Sequence, residues 1–484
     1  MIAACQISIP CVVALPCARR DGTGSVQAPD SKQCEITMGS GRGHSRGGGQ
    51  PQMGEIIMQR RGYHTVRQEL VPGSGLVRPL YEGYAFAAVM PTMFHLLTGF
   101  PAAPLLPADC FPRGTYPAPK KILLLFVDSL GWSLWEQYGA HLPGMRRFWH
   151  HGVVTPISAL FPSTTAASVA TAFLGVLPAQ HALIEWILYL EEYDMTIETL
   201  QFSALGERPE SLAGRFDPAA LLAERRTLLE RFTAAGVPCS LYLSASIAQS
   251  SFSRLVCPEG AIRPFRTIAE GMVNVVAELA SRPKVFACLY DDAIDGMAHH
   301  YGPGSAQHIA QLHEFWQAFD HVFGDGRLPS DTLIAVVADH GHVPIDLRAT
   351  RYLNHDVPSL RALLRRDRNG QPILPCGSAR DVLLHVEPAH VTTAHAELSA
   401  LLRDQALVLT ADEALAAGLF GPGPFSPVFR RRLGDLLVLP KPGVTVWWDE
   451  PERGYAMRFR GLHGGLSIEE MTTAFAALTE EMQP

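Results

Sequence analysis

Hydrophobic residues in this chain are concentrated in short continuous runs, separated by longer segments of helical character. The first run is KILLLFV at Lys121–Val127, and similar runs occupy residues 239–243, 285–290 and 333–338. A continuous apolar run of this length is typical of a parallel strand that is buried on both faces. Its alternation with helical segments predicts an α/β fold, with a doubly wound, mostly parallel sheet flanked by helices.

Two stretches depart from this alternation. Residues 21–54 are rich in Gly, Ser and Gln, a composition that buries too little apolar area to offset the entropy of ordering. We therefore expect residues 1–54 to be a disordered N-terminal extension and residues 65–484 to form the folded domain. Between residues 351 and 455, Pro, Arg and turn signals increase, which predicts an inserted cap subdomain. Beyond it, Ser467 and Glu470 form a capping box, which predicts a helix that begins at Ser467.

The amino-acid composition limits the classes of molecule that this chain is expected to bind. The 484 residues are 47% hydrophobic and 18% charged, with a formal net charge of -7. This length and apolar content allow a large buried core. A general nucleic-acid-binding protein needs a clustered Lys/Arg surface, so we expect no nucleic-acid polymer as partner. Because the net charge of the chain is negative, it would not attract an anionic substrate, and bound metal ions could hold such a substrate instead.

Cysteines and apolar stretches bear on cellular location. The nine cysteines are scattered without a Cys-x-x-Cys pair, which favours reduced thiols in the cytoplasm. Residues 1–18 are apolar, but the basic pair Arg19-Arg20 follows them, whereas a secretory signal places positive charge first. The uncharged stretch 86–108 is interrupted by four prolines, which disfavours a membrane-spanning helix. We expect a cytoplasmic protein with no membrane partner.

Acidic and imidazole side chains follow three of the four predicted strands. Asp128 comes directly after the first, three aspartates lie within residues 291–295 after the third, and Asp339-His340 follows the fourth. In open α/β sheets, ligands bind outside the carboxyl ends of the strands. We expect these groups to converge at one edge of the sheet.

A first set of candidate metal ligands is Asp295, His299 and His463. The Asp-x-x-x-His spacing brings Asp295 and His299 onto the same face of a helical turn. His463 would complete a three-ligand site with an open position, as catalytic zinc prefers. Alternatively, His299 is a surface histidine and His463 a turn residue.

A second set is Asp128, Asp339 and His340, with the Thr165 hydroxyl as a further ligand. Adjacent Asp and His after a buried strand is a specific signal, because burying either charge unpaired is costly. Asp128 alone could instead cap a helix. Two metals about 3.5–4 Å apart would neutralise charge, activate a nucleophile and stabilise a leaving group in phosphodiester hydrolysis.

The candidate nucleophile lies in FPSTTAASVATAFLG, at residues 161–175. Small, helix-compatible residues from Thr165 onward would place that hydroxyl at a helix N-terminus, where amides and the helix dipole favour phosphate. Coordination to a metal is one recognised way to activate a threonine hydroxyl. The alternative is a Ser/Thr N-cap of a core helix.

The motifs occur in the order Asp128, residues 161–175, DGMAHHYGP from Asp295, ADHG at 338–341 and HG at 463–464. Over residues 121–475 this order resembles the type I phosphodiesterase/nucleotide pyrophosphatase family of the alkaline phosphatase superfamily. The resemblance implies an alkaline-phosphatase-like catalytic domain with Thr165 as nucleophile, or Thr164 if the register shifts by one. It also implies two divalent metal ions, zinc or alternatively manganese. Their ligands would be Asp128, Thr165, Asp295, His299, Asp339, His340 and His463.

The chain departs from the family near the nucleophile. Where the family has an Asn three residues after it, contacting a phosphoryl oxygen, this chain has Ser168, a candidate substrate-binding residue. The Cys/Ser-x-Pro-x-Arg motif of sulfatases, which share the superfamily fold, does not surround Thr165. Four aromatic residues near the loop are candidates for stacking on a base: Phe161, Trp186, Tyr189 and Tyr193.

These features together predict a metal-dependent hydrolase of phosphodiester or phosphoanhydride bonds. It would act on a small-molecule phosphoester or nucleotide through a phospho-threonine intermediate. The alternative within enzymes is a phosphomonoesterase or phosphonate hydrolase that uses the same residues. The alternative outside enzymes is a metal-binding pseudoenzyme or partner-binding module. The complete set of candidate metal ligands argues against this alternative.

Overall fold

The computed structural model describes residues 62–258, 260–324 and 329–479. Within them the strands are, in chain order, β1 (Lys121–Val127), β2 (Val153–Ser158), β3 (Ile187–Leu190), β4 (Met195–Glu198), β5 (Ser203–Ala204), β6 (Cys239–Ser244), β7 (Ile262–Phe265), β8 (Val285–Asp291), β9 (Thr332–Val337), β10 (Val343–Pro344), β11 (Arg351–Tyr352), β12 (Cys376–Ser378), β13 (Asp381–Leu384), β14 (Ala406–Thr410), β15 (Leu436–Pro440), β16 (Val446–Trp447), β17 (Gly461–Leu462) and β18 (Thr472–Thr479).

The α-helices span Val89–Thr98, Trp132–Tyr138, Pro143–His151, Thr165–Leu174, Pro178–His181, Leu228–Ala234, Ser251–Val256, Ile268–Ser281, Ala293–Tyr301, Ala306–Phe323, Leu353–Asp356, Leu360–Leu363, Val391–Leu401, Ala411–Ala416, Pro427–Leu433 and Ile468–Met471. Short 3₁₀ turns occur at Thr65–Arg67, Phe86–Ala88, Ala108–Cys110, Pro112–Gly114, Pro218–Leu221, Leu347–Ala349, Pro388–His390 and Pro451–Arg453. In the described part of the chain, no helix combines the length and apolar character needed to cross a membrane.

The central sheet has seven strands in the order β2-β18-β9-β1-β8-β6-β7. β1 pairs in parallel with both β8 and β9, and β6 pairs in parallel with β7 and β8. Among the described strands of this sheet, β18 alone runs in the opposite direction, antiparallel to both of its neighbours, β2 and β9. The predicted fold class, a mostly parallel sheet flanked by helices, is therefore confirmed. The four apolar runs correspond to β1, β6, β8 and β9.

The apolar run of β1 is continuous because both of its faces are buried. Ile122, Leu124 and Phe126 point to one core, which also contains Val169 and Phe173 of the helix Thr165–Leu174. The alternate residues Leu123, Leu125 and Val127 point to a second core, lined by the helix Ala306–Phe323. Alternate side chains of a strand face opposite sides of a sheet, so a strand with helices on both sides needs apolar residues throughout.

The C-terminal strand β18 was not predicted. The helix expected at Ser467 is present, with reciprocal capping between Ser467 and Glu470, but it ends at Met471 after about one turn. The chain then continues directly into β18, which is inserted between β2 and β9. Its sequence, TTAFAALT, carries no strong local preference, so tertiary pairing determines its conformation.

A second sheet, antiparallel throughout, has the order β14-β15-β13-β12-β3-β4-β5. Strands β12 to β15 come from residues 376–440, inside the predicted cap at 351–455, whereas β3 to β5 come from residues 187–204. The bounds 351–455 and 65–484 stay predictions. The predicted disordered extension, 1–54, lies outside the described residues.

A buried ion pair joins the second sheet to the short helix Ile468–Met471, which follows the loop of His463. Arg380, which lies between β12 and β13, donates from Nε and Nη2 to the Glu470 carboxylate at 2.9 and 2.8 Å. The two side chains are 1% and 0% exposed. Glu470 also accepts the backbone N–H of Gly465 at 3.1 Å. The pair therefore restrains the loop that carries His463.

Candidate active site

The side chains that follow the parallel strands lie together, as the sheet topology requires. Because β1 lies between β8 and β9, the residues after these three strands meet at one edge of the sheet. The helix Ala293–Tyr301, which begins just after β8, contributes its ligands to the same place. All five candidate ligands from these segments are at most 3% exposed: Asp128, Asp295, His299, Asp339 and His340.

Thr165 is the first residue of the helix Thr165–Leu174 and is buried. Its Oγ1 lies 3.1 Å from His340 Nε2 and 3.3 Å from Asp128 Oδ2. Thr164, the N-cap residue, has an extended backbone and makes no side-chain capping hydrogen bond. The Thr165 hydroxyl is therefore placed among the candidate ligands rather than on the backbone amides of the helix.

The cluster around Thr165 contains two further close contacts. His340 Nε2 lies 3.5 Å from Asp128 Oδ1 and 3.3 Å from Asp339 Oδ2. The other oxygen of Asp339 accepts the backbone N–H groups of Ser129 and His340, at 3.1 and 3.0 Å. The Tyr290 hydroxyl donates to Asp128 Oδ2. These bonds fix the orientation of both carboxylates.

The second cluster is formed by Asp295, His299 and His463. His299 Nε2 lies 3.5 Å from Asp295 Oδ2, and His463 Nε2 lies 3.9 Å from Asp295 Oδ1. The Nε2 atoms of His299 and His463 are 3.0 Å apart. The two clusters adjoin, because the rings of His340 and His463 stack with centroids 3.6 Å apart.

Three histidines have their Nδ1 atoms beside backbone carbonyl oxygens. The partners are Gly461 for His299 at 2.8 Å, Ser163 for His463 at 2.9 Å, and Gly341 for His340 at 3.1 Å. A carbonyl oxygen only accepts, so the neutral imidazoles carry their proton on Nδ1. All three Nε2 lone pairs are thereby directed into the clusters, as in histidines that bind metals.

Burial shifts the pKa values of the site in the direction that favours neutral side chains. Burial raises the pKa values of Asp295 and Asp339 well above their usual range, and the nearby charge of Asp128 raises both further. Burial lowers the pKa of His299 to about 4 and lowers the pKa of His463 well below its usual range. The imidazoles are therefore neutral at pH 7 and contribute no positive charge.

The donor atoms fit bound divalent cations. Asp295 Oδ1 and Asp339 Oδ2 are buried and accept no hydrogen bond within the described residues. Buried oxygens without a partner are rare and costly, and a cation would satisfy both. Neutral imidazole and carboxylate are the ligands that zinc and similar cations take.

Two residues of the site were missed in the sequence. His342 stands beside the second cluster, with Nδ1 3.5 Å from Asp295 Oδ1. Its signal is the second histidine of Asp339-His-Gly-His, two residues after a predicted ligand. Tyr290 lies within the apolar run of β8, so the sequence pattern predicts a core residue and not a hydrogen-bond donor to Asp128.

The remaining predicted residues are placed as follows. Ser168 lies one helical turn beyond Thr165, and its Oγ is buried without a partner among the described residues. Its role in substrate binding stays a prediction. Thr164 is buried at the N-cap of the helix Thr165–Leu174. Phe161 is 0% exposed and packs on Phe420, so the hypothesis that it stacks on a base is wrong.

Comparisons with known proteins bear on the family and the fold of this chain. The model of the type I phosphodiesterase/nucleotide pyrophosphatase family matches residues 122–465. The fold resembles murine ectonucleotide pyrophosphatase/phosphodiesterase 5, solved as an inactive threonine-to-alanine variant in complex with AMP. That comparison has a TM-score of 0.55 and 12% identity, and it covers 75% of this chain and 88% of that chain.

The human ectonucleotide pyrophosphatase/phosphodiesterase 5 gives a TM-score of 0.55 at 13% identity, covering 74% of this chain and 88% of that chain. No curated protein sequence gives a significant match. Identities this low support the shared fold alone. The family model, by contrast, spans well over half of the sequence, and the chain belongs to the type I phosphodiesterase/nucleotide pyrophosphatase family.

Proposed function

We propose that this chain hydrolyses phosphodiester or phosphoanhydride bonds in nucleotide-like small molecules, with Thr165 as the nucleophile. The observation that carries the proposal is the position of Thr165 Oγ1, 3.1 Å from His340 Nε2 and 3.3 Å from Asp128 Oδ2. Membership of the family supports the class of bond. The AMP bound to the murine neighbour supports a nucleotide-like substrate.

The two clusters would hold two divalent cations. Asp128, Asp339, His340 and the Thr165 hydroxyl would hold one, and Asp295, His299 and His463 the other. When bound, such cations neutralise charge on the phosphoryl oxygens and favour deprotonation of a hydroxyl nucleophile. Mixed imidazole and carboxylate ligands favour zinc, with manganese as the alternative.

The residues around Thr165 orient its hydroxyl for attack. Asp128 Oδ2 and His340 Nε2 are the acceptors within reach of the hydroxyl proton. In the first displacement, Thr165 Oγ1 forms a bond to phosphorus and the bond to the leaving oxygen breaks. In the second, the oxygen of water bonds to phosphorus and Thr165 is released as the free hydroxyl. The covalent intermediate is therefore an ester of threonine.

The helix N-terminus contributes a second electrostatic element. The Thr164 side chain does not cap the helix Thr165–Leu174, so the N–H groups of its first turn are available to a phosphoryl oxygen. The helix dipole adds positive potential at the same point. We expect this end of the helix to bind the phosphoryl group beside Thr165 Oγ1.

A comparison of two chromogenic substrates tests the class of bond. We expect bis-p-nitrophenyl phosphate, a diester, to be hydrolysed with a higher kcat/KM than p-nitrophenyl phosphate, a monoester. Both reactions should be lost in Thr165→Ala, which controls for contaminating phosphatases. A strong preference for the monoester, lost in the same variant, would instead identify a phosphomonoesterase that uses the same residues.

A further inference from the structure

His342 lies beside the cluster of Asp295, His299 and His463 but belongs to a different segment, between β9 and β10. Its side chain is 3% exposed, and its Nδ1 lies 3.5 Å from Asp295 Oδ1. Its ring centroid is 4.4 Å from that of His299 and 5.1 Å from that of His463. One donor atom from each of the four residues lies within 4.8 Å of the others.

We propose that His342 is a fourth protein ligand of the cation held by Asp295, His299 and His463, an inference that rests on the proposed two-cation function. Ligand atoms about 2.0–2.2 Å from one tetrahedral ion lie roughly 3.3–3.6 Å apart. The Nε2 atoms of His299 and His463 are 3.0 Å apart, and Asp295 Oδ1 lies 3.5 Å from His342 Nδ1 and 3.9 Å from His463 Nε2. His299 Nε2 approaches the other carboxylate oxygen, Oδ2, at 3.5 Å. Because one donor atom from each residue lies within 4.8 Å of the others, the donor atoms that are furthest apart must move together for all four to surround one ion.

The two ring nitrogens of His342 indicate which one faces the ion. Nε2 is buried and has no hydrogen-bond partner within the described residues, whereas Nδ1 faces Asp295. A neutral imidazole has one N–H and one lone pair. With the proton on Nε2, the Nδ1 lone pair points into the cluster, where the Ser129 hydroxyl, at 2.5 Å, competes for it.

His342 thus approaches the site through the opposite nitrogen from the other histidines. His299 and His463 donate hydrogen bonds from Nδ1 to backbone carbonyl oxygens, and their Nε2 atoms face the cluster. Three imidazoles and one carboxylate form a complete tetrahedral set for a cation such as zinc or cobalt. We expect this site to bind its ion more tightly than the site at Thr165, whose fourth ligand is a hydroxyl.

Proton NMR of the full chain loaded with one equivalent of Co²⁺ counts the histidine ligands directly. Each imidazole bound to the paramagnetic ion gives one strongly shifted, exchangeable N–H signal. We expect three such signals in the wild-type protein and two in His342→Ala. The control is His300→Ala, an exposed residue on the same helix as His299, which should retain three.

Two signals in the wild-type protein would overturn the proposal, whether or not His342→Ala folds.

Competition against a chelator gives a second readout. Loss of a residue that only orients a ligand costs about 10–100-fold in metal affinity, so His342→Ala should weaken cobalt binding by more than about 100-fold. Unchanged affinity would also overturn it, while leaving the two-cation function intact. Wild-type protein that binds no cobalt would contradict that function as well.

Discussion

Replacing Thr165 with alanine is expected to lower the turnover of a diester substrate by about three orders of magnitude or more. The change removes the only atom that forms the bond to phosphorus in the proposed first displacement. The carboxylates and imidazoles of both clusters stay in place, so the variant should remain folded and retain its cations. Steady-state kinetics, circular dichroism and elemental analysis on the same preparation check this result.

Two further variants separate a nucleophile from a helix-capping residue. Thr165→Ser keeps a hydroxyl at the same position and should retain part of the activity. Thr164→Ala removes the adjacent hydroxyl, which makes no capping hydrogen bond, and the folded protein should still turn over the substrate. If Thr164→Ala is inactive and Thr165→Ala active, the nucleophile is Thr164. Parental rates in both alanine variants would exclude covalent catalysis from this loop.

Removing divalent cations with a chelator is expected to abolish hydrolysis, and zinc or manganese should restore it. The physical reason is the pair of buried carboxylates, Asp295 and Asp339, each with one oxygen that accepts no hydrogen bond among the described residues. Elemental analysis after dialysis should find close to two ions per chain, because there are two ligand clusters. A chain that binds no ion, and is not activated by added ions, would contradict the mechanism.

The recovery of activity should depend on pH in a defined direction. Burial raises the pKa values of Asp295 and Asp339, so protons compete with the cations for these carboxylates. The stripped protein should therefore rebind zinc more weakly at about pH 6 than at about pH 8.

Asp339→Asn should lose one ion, whereas Asp346→Asn, at an exposed site, should keep both.

The catalytic edge of the fold could be predicted because its signals are local. The run KILLLFV has no polar interruption, which only a strand covered on both faces requires. Once such strands are parallel, their carboxyl ends share one edge, so Asp128 and Asp339-His340 must meet. No contact had to be known in advance for that conclusion.

Other features depend on contacts that the sequence does not display. Strand β18 consists mainly of alanine and threonine and is held by pairing with β2 and β9. The second sheet combines β3 to β5 with strands that come more than 170 residues later, as the pairing of Gly377 with Ile187 shows. The 3.5 Å approach of His342 to Asp295 identifies its position in the site, because the second histidine of Asp339-His-Gly-His is not by itself a specific signal for a metal ligand.

The stereochemical course at phosphorus is the most direct test of the central claim, that hydrolysis passes through a covalent bond to Thr165. Each in-line displacement inverts the configuration at phosphorus, so two successive displacements restore it. The measurement uses a phosphorothioate diester of known configuration, hydrolysed in water enriched with a heavy oxygen isotope. An intermediate on Thr165 predicts net retention in the product. Net inversion would show that water attacks the substrate directly and would contradict the claim.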